Sequence, residues 1–580
     1  MTKWNRLLGL GLAWGLGLLP WAVVASSADG AYPPAAAPVA KAAPVLGARP
    51  ASVLDLVLPA VQTDELEQMR ARRATSRAYL VGFPRELPEA RRGDLLAGLP
   101  WGRQTDGRPV LYFTLRSPDA LALRAQLDLS RLPVGAWLGF YAGSASEPAG
   151  QLAVTGDAQL RTEVWSPEVP GDTLGVLILL PAGQDPAGLS LPVPRVSHLV
   201  ETPHSRAATD AQARALSTSC ERDAICQNLA PWSSVRDAVA MINFVSGGSS
   251  YQCTATLLSD HEDSTWIPYL YTAHHCVSTA AEAATVVSYW FYERTGCGTG
   301  PNRQYVTLQG GARLLGTDAA ADFALLELTA VPPNGAYYAG WETQSSTGQS
   351  VTGIHHPSGD VKKIANGKID GPASCRGEEG CGFNDMQVTW SQGLTEAGSS
   401  GSGLFDSSGR LIGSLWGGSS FCQPVSQQVT GPDLYARFSL ALPQVQRYLD
   451  ATATPLAAPG VVSGQVPLGA WWDYRVQVDE PVRTLEVLLS ELAANADLYV
   501  RVGAKPTWTS YDCRSVRAGI SADYCRLHVA PGNQVYISVY GSQAASFSLG
   551  LSVSASPRDF VLIPDGEPRL VEAPTSPSGS

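Results

Sequence analysis

Ten cysteines lie in this chain of 580 residues, and none falls in the first 219. Eight sit between Cys220 and Cys422, and the last pair is Cys513 and Cys525. This distribution divides the chain into a Cys-free amino-terminal part, a Cys-rich middle and a carboxy-terminal part with one pair. Folded domains usually run to ~100–200 residues, so three or so units fit the length. An even number of cysteines in an oxidising compartment reads as disulfides. Zinc is the alternative, but the pairs lack Cys-x-x-Cys spacing.

The amino terminus supports export. Lys3 and Arg6 supply a positive start, and Leu7 to Val24 is an apolar stretch broken by Pro20. Small residues follow, with cleavage expected after Val23-Val24-Ala25 or at Ala28. The other reading of this stretch is a membrane anchor. Residues 1–25 are taken as a signal peptide, so the mature chain is expected outside the cell and off the membrane. No later segment approaches the ~18–20 apolar residues that span a bilayer. A net charge of −11 argues against nucleic acid as a partner, because phosphate binding wants a basic patch.

Glycine (57) and proline (42) are frequent, which favours turn-rich β structure over long helices. Residues 29–50 are rich in Ala and Pro and are expected to be extended. Within 51–200, Asp64 to Arg73 is a helix-prone charged run. Tyr112 to Leu115, Ala136 to Tyr141 and Leu174 to Leu180 read as strands. This α+β segment carries no catalytic motif, so 26–215 is expected to be a propeptide; the alternative is an amino-terminal binding domain. Short strands and Gly/Ser turns fill 216–450. A Pro/Ala/Gly linker is expected over 451–461, a small β-sandwich over 462–555 and a flexible tail over 556–580.

Three separated segments carry chemistry: Tyr271-Thr272-Ala273-His274-His275-Cys276, Ala321-Asp322-Phe323-Ala324-Leu325-Leu326, and Glu396-Ala397-Gly398-Ser399-Ser400-Gly401-Ser402-Gly403. A serine hydroxyl is a poor nucleophile until an imidazole takes its proton and a carboxylate holds that imidazole in the right tautomer. Glycines beside the serine allow a sharp turn that aims amide N–H groups at a developing oxyanion. No metal or cofactor is needed for such a mechanism. His274 and His275 compete for the base, Asp318 and Asp322 for the carboxylate, and Ser399, Ser400 and Ser402 for the nucleophile. Asp322 alone opens an apolar run that could enter a core.

The order His, Asp, Ser with these motifs resembles the trypsin-like serine proteases. The stretch from Cys220 to about Asp450 resembles the bacterial lysyl endopeptidases in Tyr271 to Cys276, Asp322 to Leu328, Ile354-His355-His356-Pro357, Gly398 to Ser402, and cysteines 220, 226, 253, 276, 297 and 422. The resemblance implies a mostly β chain with a trypsin-like double β-barrel. It makes His275, Asp322 and Ser400 the catalytic residues, with the amides of Gly398 and Ser400 as oxyanion hole. His274, His355 and His356 then read as structural. It also implies the bridges Cys220–Cys422, Cys226–Cys297 and Cys253–Cys276, and leaves Cys375–Cys381 as a local pair. Ser399 stands where trypsin-like zymogens keep an Asp for a freed amino terminus, so latency is expected to rest on the propeptide. The carboxy-terminal unit resembles the bacterial pre-peptidase C-terminal domain in Ala496 to Arg501, Tyr511-Asp512-Cys513 and Tyr524-Cys525. That likeness implies a Cys513–Cys525 bridge.

Specificity is expected from Ser414-Leu415-Trp416-Gly417-Gly418 and from Asp433. The first looks like the strand that binds peptide, with Trp416 and Gly417 touching substrate. The second falls where lysyl endopeptidases keep the carboxylate at the pocket base. Those enzymes tend to carry His at the position of Trp416. A buried carboxylate selects a cationic side chain because leaving it unpaired is costly. Only six of the 41 basic residues are lysines: Lys3, Lys41, Lys362, Lys363, Lys368 and Lys505. The basic residues near the expected junction before Cys220 are Arg206 and Arg214. The expectation is therefore a monomeric, secreted endopeptidase acting on proteins or peptides after Lys by preference, with Arg admitted. Its alternative is an adhesive or substrate-binding protein with a degenerate protease domain.

Overall fold

The computed structural model describes residues 27–33, 49–154, 163–203, 217–261, 266–373, 385–423, 425–449, 453–479, 481–508 and 510–555. The signal peptide, Arg206, Arg214, the Cys375–Cys381 pair and the tail from 556 lie outside them. The chain is mostly β, and the Cys-rich middle folds as two barrels of the trypsin-like kind.

In the first barrel, the strands Val239–Ser246 and Ser249–Leu258 form a hairpin. Its two-residue turn is Gly247-Gly248, with φ of 57° and 82°. Side chains resist that left-handed region, so the Gly pair sets the hairpin register. Tyr269–Thr272 and the apolar run Phe323–Leu328 follow in the sheet, with Ala312–Asp318 beyond them. The second barrel closes on itself. Ser350–His355, Lys363–Pro372, Met386–Gln392, Pro432–Arg437, Leu411–Gly418 and Gly403–Phe405 pair in that order, and the last returns to the first. Val239, Tyr271, Phe323, Ile354, Phe405 and Phe438 share one buried cluster between the barrels.

The amino-terminal unit is α+β. Its helix, Thr63–Thr75, starts where the Glu65 carboxylate accepts the Gln62 N–H at 2.8 Å. The strand Tyr79–Glu86 pairs on one side with Arg195–Leu199 of its own unit. On the other side it pairs with Ser249–Leu258 of the first barrel, so one sheet runs through both units. Ser27–Ala28 also pairs with Trp341–Glu342 of the second barrel.

The carboxy-terminal unit is a sandwich of a five-stranded and a four-stranded sheet around a core that includes Leu485, Leu498, Ile537 and Leu549. The linker expected over 451–461 is shorter than its composition indicates. Thr454–Leu456 pairs with Trp471–Gln477, and a strand from Gly460 pairs with Ala545–Ser554. The first partners lie past the end of the expected linker and the second near the end of the sandwich, where local composition gives no sign of them. Four expected disulfides are present: Cys220–Cys422, Cys226–Cys297, Cys253–Cys276 and Cys513–Cys525.

Candidate active site

His275 follows the strand Tyr269–Thr272, and Asp322 immediately precedes the strand Phe323–Leu328 that pairs with it. Adjacent strands thus deliver the two side chains to the same barrel end. Asp322 accepts from the His275 backbone N–H at 3.0 Å and lies 2.8 Å from His275 Nδ1. The carboxylate is 1% exposed, and its φ of 38° is unusual for a residue with a side chain. Each of its oxygens therefore meets a nitrogen of the same histidine, which fixes both the ring and the loop that carries it. The disulfide Cys253–Cys276 clamps that loop from the neighbouring residue.

The competing residues have other partners. His274 Nδ1 lies 2.8 Å from Thr317 Oγ1, and Asp318 accepts the Ala321 N–H at 2.7 Å. Ser399 turns away from the cleft. Its Oγ accepts from the Glu396 N–H at 3.1 Å and lies 2.8 Å from His355 Nδ1. Burial pushes the His355 ring down to about 3, and it pushes His356 well below the usual range. Both rings therefore stay neutral at ordinary pH.

The loop carrying Ser400 is held from behind. Thr254 donates its N–H to Ser400 O at 2.9 Å and its Oγ1 hydrogen to Gly398 O at 3.0 Å. Gly398 and Gly401 have φ of 93° and 77°. A Cβ on Gly401 would come within 2.1 Å of Thr272 Oγ1 and 2.9 Å of Ala273 N, so only glycine lets this loop lie against the histidine loop. Among the described residues, the amides of Gly398 and Ser400 have no hydrogen-bond partner. Two unpaired N–H groups beside a serine hydroxyl are what an oxyanion site requires.

Asp433, on the strand Pro432–Arg437, is 1% exposed. It accepts from Trp390 Nε1 (2.6 Å), Thr395 Oγ1 (2.7 Å), Ser420 Oγ (2.8 Å) and Ser420 N (3.1 Å). Burial raises its pKa, and those donors offset only part of the rise. A cavity of about 460 Å³ runs from Ser400 to Asp433, lined also by Thr395, Trp416, Gly417 and Gly418. A Cβ on Gly418 would lie 2.1 Å from Asp433 Oδ1, so only glycine fits beside that oxygen.

The sequence reading did not identify Arg77. Ser400 Oγ donates to the Arg77 carbonyl at 3.2 Å, while His275 Nε2 is buried without a partner among the described residues. Ser76 and Arg77 line both the cavity beside His275 and the cavity beside Ser400, and Ala78 lines the first. This segment is stretched between two anchors. Arg73, at the helix end, donates to Leu80 O and Glu201, both at 2.7 Å, and Arg72 reaches Ser249 and Tyr251 of the barrel. Nothing in the local sequence distinguishes Arg77 from Arg70, Arg72 or Arg73.

Among solved structures, the chain is similar to an HtrA-type protease, AlgW, carrying a tripeptide. The TM-score is 0.26 at 20% identity over 40% of this chain, which spans 66% of that one. It is also similar to the Rv3671c protease of M. tuberculosis in its active form, with TM-score 0.25 and 14% identity over 38% of this chain and 84% of that one. Two family models match, "Lysyl endopeptidase N-terminal domain" over 57–200 and "Lysyl endopeptidase, C-terminal domain" over 215–436. A lysyl endopeptidase of Pseudomonas aeruginosa is 36% identical over 373 residues, which is 61% of this chain and 78% of that protein. This chain is a serine endopeptidase and belongs to the lysyl endopeptidase family.

Proposed function

We propose that the chain is the latent form of a secreted endopeptidase that cleaves after basic residues, lysine by preference, through an acyl-enzyme at Ser400. The observation that carries this reading is a peptide carbonyl 3.2 Å from Ser400 Oγ, at the mouth of a cavity that ends on a buried carboxylate. With a substrate carbonyl there, Ser400 Oγ attacks the carbon and its proton passes to His275 Nε2. Asp322 holds the opposite nitrogen and stabilises the imidazolium that forms. The amides of Gly398 and Ser400 receive the oxyanion, each such donor contributing ~3–4 kcal/mol in the transition state. His275 then gives the proton to the departing amine, and water repeats the sequence on the acyl-enzyme. Asp433 pairs with the cationic side chain, while Trp416 and Gly417 border it.

In the latent form the amino-terminal unit acts as propeptide and inhibitor. Ser400 donates to Arg77 rather than to His275, so nucleophile and base are uncoupled. The carboxy-terminal sandwich is read as a pre-peptidase C-terminal domain, and the enzyme as a monomer without a metal requirement. Support for export comes from the amino-terminal sequence and the four disulfides.

A serine-directed fluorophosphonate tests the reading. The processed enzyme is expected to label rapidly at Ser400 and the full chain at least tenfold more slowly. Ser400→Ala is expected to abolish both labelling and peptidase activity. An unlabelled, folded, processed enzyme would sink the assignment.

A further inference from the structure

Arg77 offers its carbonyl to Ser400, yet its side chain does not occupy the cavity down to Asp433. The guanidinium carbon lies 4.5 Å from the centre of the Trp416 ring. Among the described residues, the hydrogen bonds that Asp433 accepts come from Trp390, Thr395 and Ser420. A residue placed as the cleaved residue would be placed thus has its charged head on the rim. Trp416 lines that cavity together with Gly417 and Gly418, the two glycines that end the strand Leu411–Gly418.

We propose that Trp416 is a second cation subsite, a rim platform for guanidinium groups that holds an arginine at the cleaved position in a non-productive mode. The proposal rests on the assignment of Ser400 and Asp433 above. Guanidinium is planar and weakly hydrated and stacks on an indole face, whereas ammonium is compact and strongly hydrated. The platform therefore discriminates between the two basic side chains where a carboxylate alone attracts both. Arginine on the platform leaves the pocket empty and its carbonyl on the Ser400 hydroxyl rather than on the oxyanion amides. This arrangement accounts for a basic residue lying at the nucleophile as an occluding group.

Non-productive binding has a kinetic signature. It lowers kcat and KM together and leaves their ratio unchanged, because the ratio refers to free enzyme and substrate. The test uses processed wild-type enzyme, Trp416→Phe and Trp416→Leu, with matched peptides carrying Arg or Lys at the cleaved position. For the Arg peptide, Trp416→Leu is expected to raise kcat and KM together by at least about fivefold, the size of a partly exposed cation–π contact. Trp416→Phe, which keeps an aromatic face, is expected to fall between. For the Lys peptide no such joint rise is expected. An Arg kcat that stays level or falls in Trp416→Leu overturns the subsite while leaving the reading of Asp433 standing. Wild-type cleavage after neither Lys nor Arg overturns the reading of Asp433, and the subsite with it. Mass spectrometry of the full chain gives a second readout. Trp416→Leu is expected to expose the Arg77–Ala78 bond to cleavage that wild type resists, and a bond equally intact in both would also count against the platform.

Discussion

Cation selection is the role proposed for Asp433, and burial is what makes its charge costly. Its pKa is raised above the ordinary carboxylate range, so pairing with a lysine ammonium weakens at a higher pH than an ordinary aspartate, near ~3.9, would set. Asp433→Asn is expected to lower kcat/KM for Lys peptides by at least about a hundredfold, since one partner of a buried charge pair is removed. A library digest checks this, and retained Lys cleavage would refute the role. His355 gives a pH effect of a different kind. Burial pushes its pKa from the ordinary 6.5 down to about 3, so the unfolded chain binds a proton that the folded chain refuses. The stability contributed by the neutral ring is complete above pH 6.5 and is lost as pH falls toward 3. The slope is roughly 1.4 kcal/mol per pH unit for one such group. In a Ser400→Ala background, His355→Gln is expected to reduce the acid slope of denaturant-unfolding free energy by about one proton. An unchanged slope would mean that His355 titrates normally.

At the scale of elements, the proposed latency turns on the sheet that the amino-terminal unit shares with the first barrel. Gln252, Tyr251 and Ser250 of the barrel strand pair with Tyr79, Leu80 and Gly82. Removing the amino-terminal unit leaves that edge unpaired. Hydrogen exchange at Ser249–Gln252 is expected to quicken at least tenfold on processing, measured by mass spectrometry on full and processed chains. Equal protection would mean that the released unit stays bound. The motifs around His275, Asp322 and Ser400 stand out in the sequence because the chemistry proposed for them needs particular residue types in a particular order. The barrels were legible through the family resemblance, and the helix Thr63–Thr75 through the charged run Asp64 to Arg73. The pairing of Tyr79–Glu86 with Ser249–Leu258 was not, because it joins segments some 170 positions apart with no local pattern to announce it. The donors around Asp433 were hidden for the same reason. Trp390, Thr395 and Ser420 come from three chain segments that meet only when the second barrel closes. Residues 451–461 mislead for the converse reason: Pro455 and Pro459 read as linker, while the strands around them are set by partners elsewhere.

Across the whole molecule, Arg447 and Arg501 are two described side chains that join the sandwich to the protease. Arg447, in the helix Phe438–Leu449 that closes the barrels, lies 3.0 Å from Asp473 and donates to Pro506 O at 3.0 Å. Its guanidinium carbon stands 4.3 Å from the Trp471 ring centre, and its own carbonyl accepts from Lys505 Nζ at 2.7 Å. A second pair, Arg501 with Glu327 at 2.7 Å, ties the sandwich to the first barrel. The Arg447 side chain is 16% exposed, so its contacts are only partly screened by water. Arg447→Ala leaves Asp473 without that cation and is expected to weaken docking by about 2 kcal/mol. The sandwich has its own core and its own disulfide, so it should stay folded and detach as a unit. In the Ser400→Ala full chain, the expected result is a larger radius of gyration by X-ray scattering and faster nicking by an added protease near residue 450. Arg447→Lys keeps a charge but cannot reproduce the fork and the stacking, so it should recover only part of the wild-type value. If Arg447→Ala changes neither size nor nicking, the sandwich is held by the Arg501–Glu327 contact instead, and the clamp assigned to Arg447 is wrong.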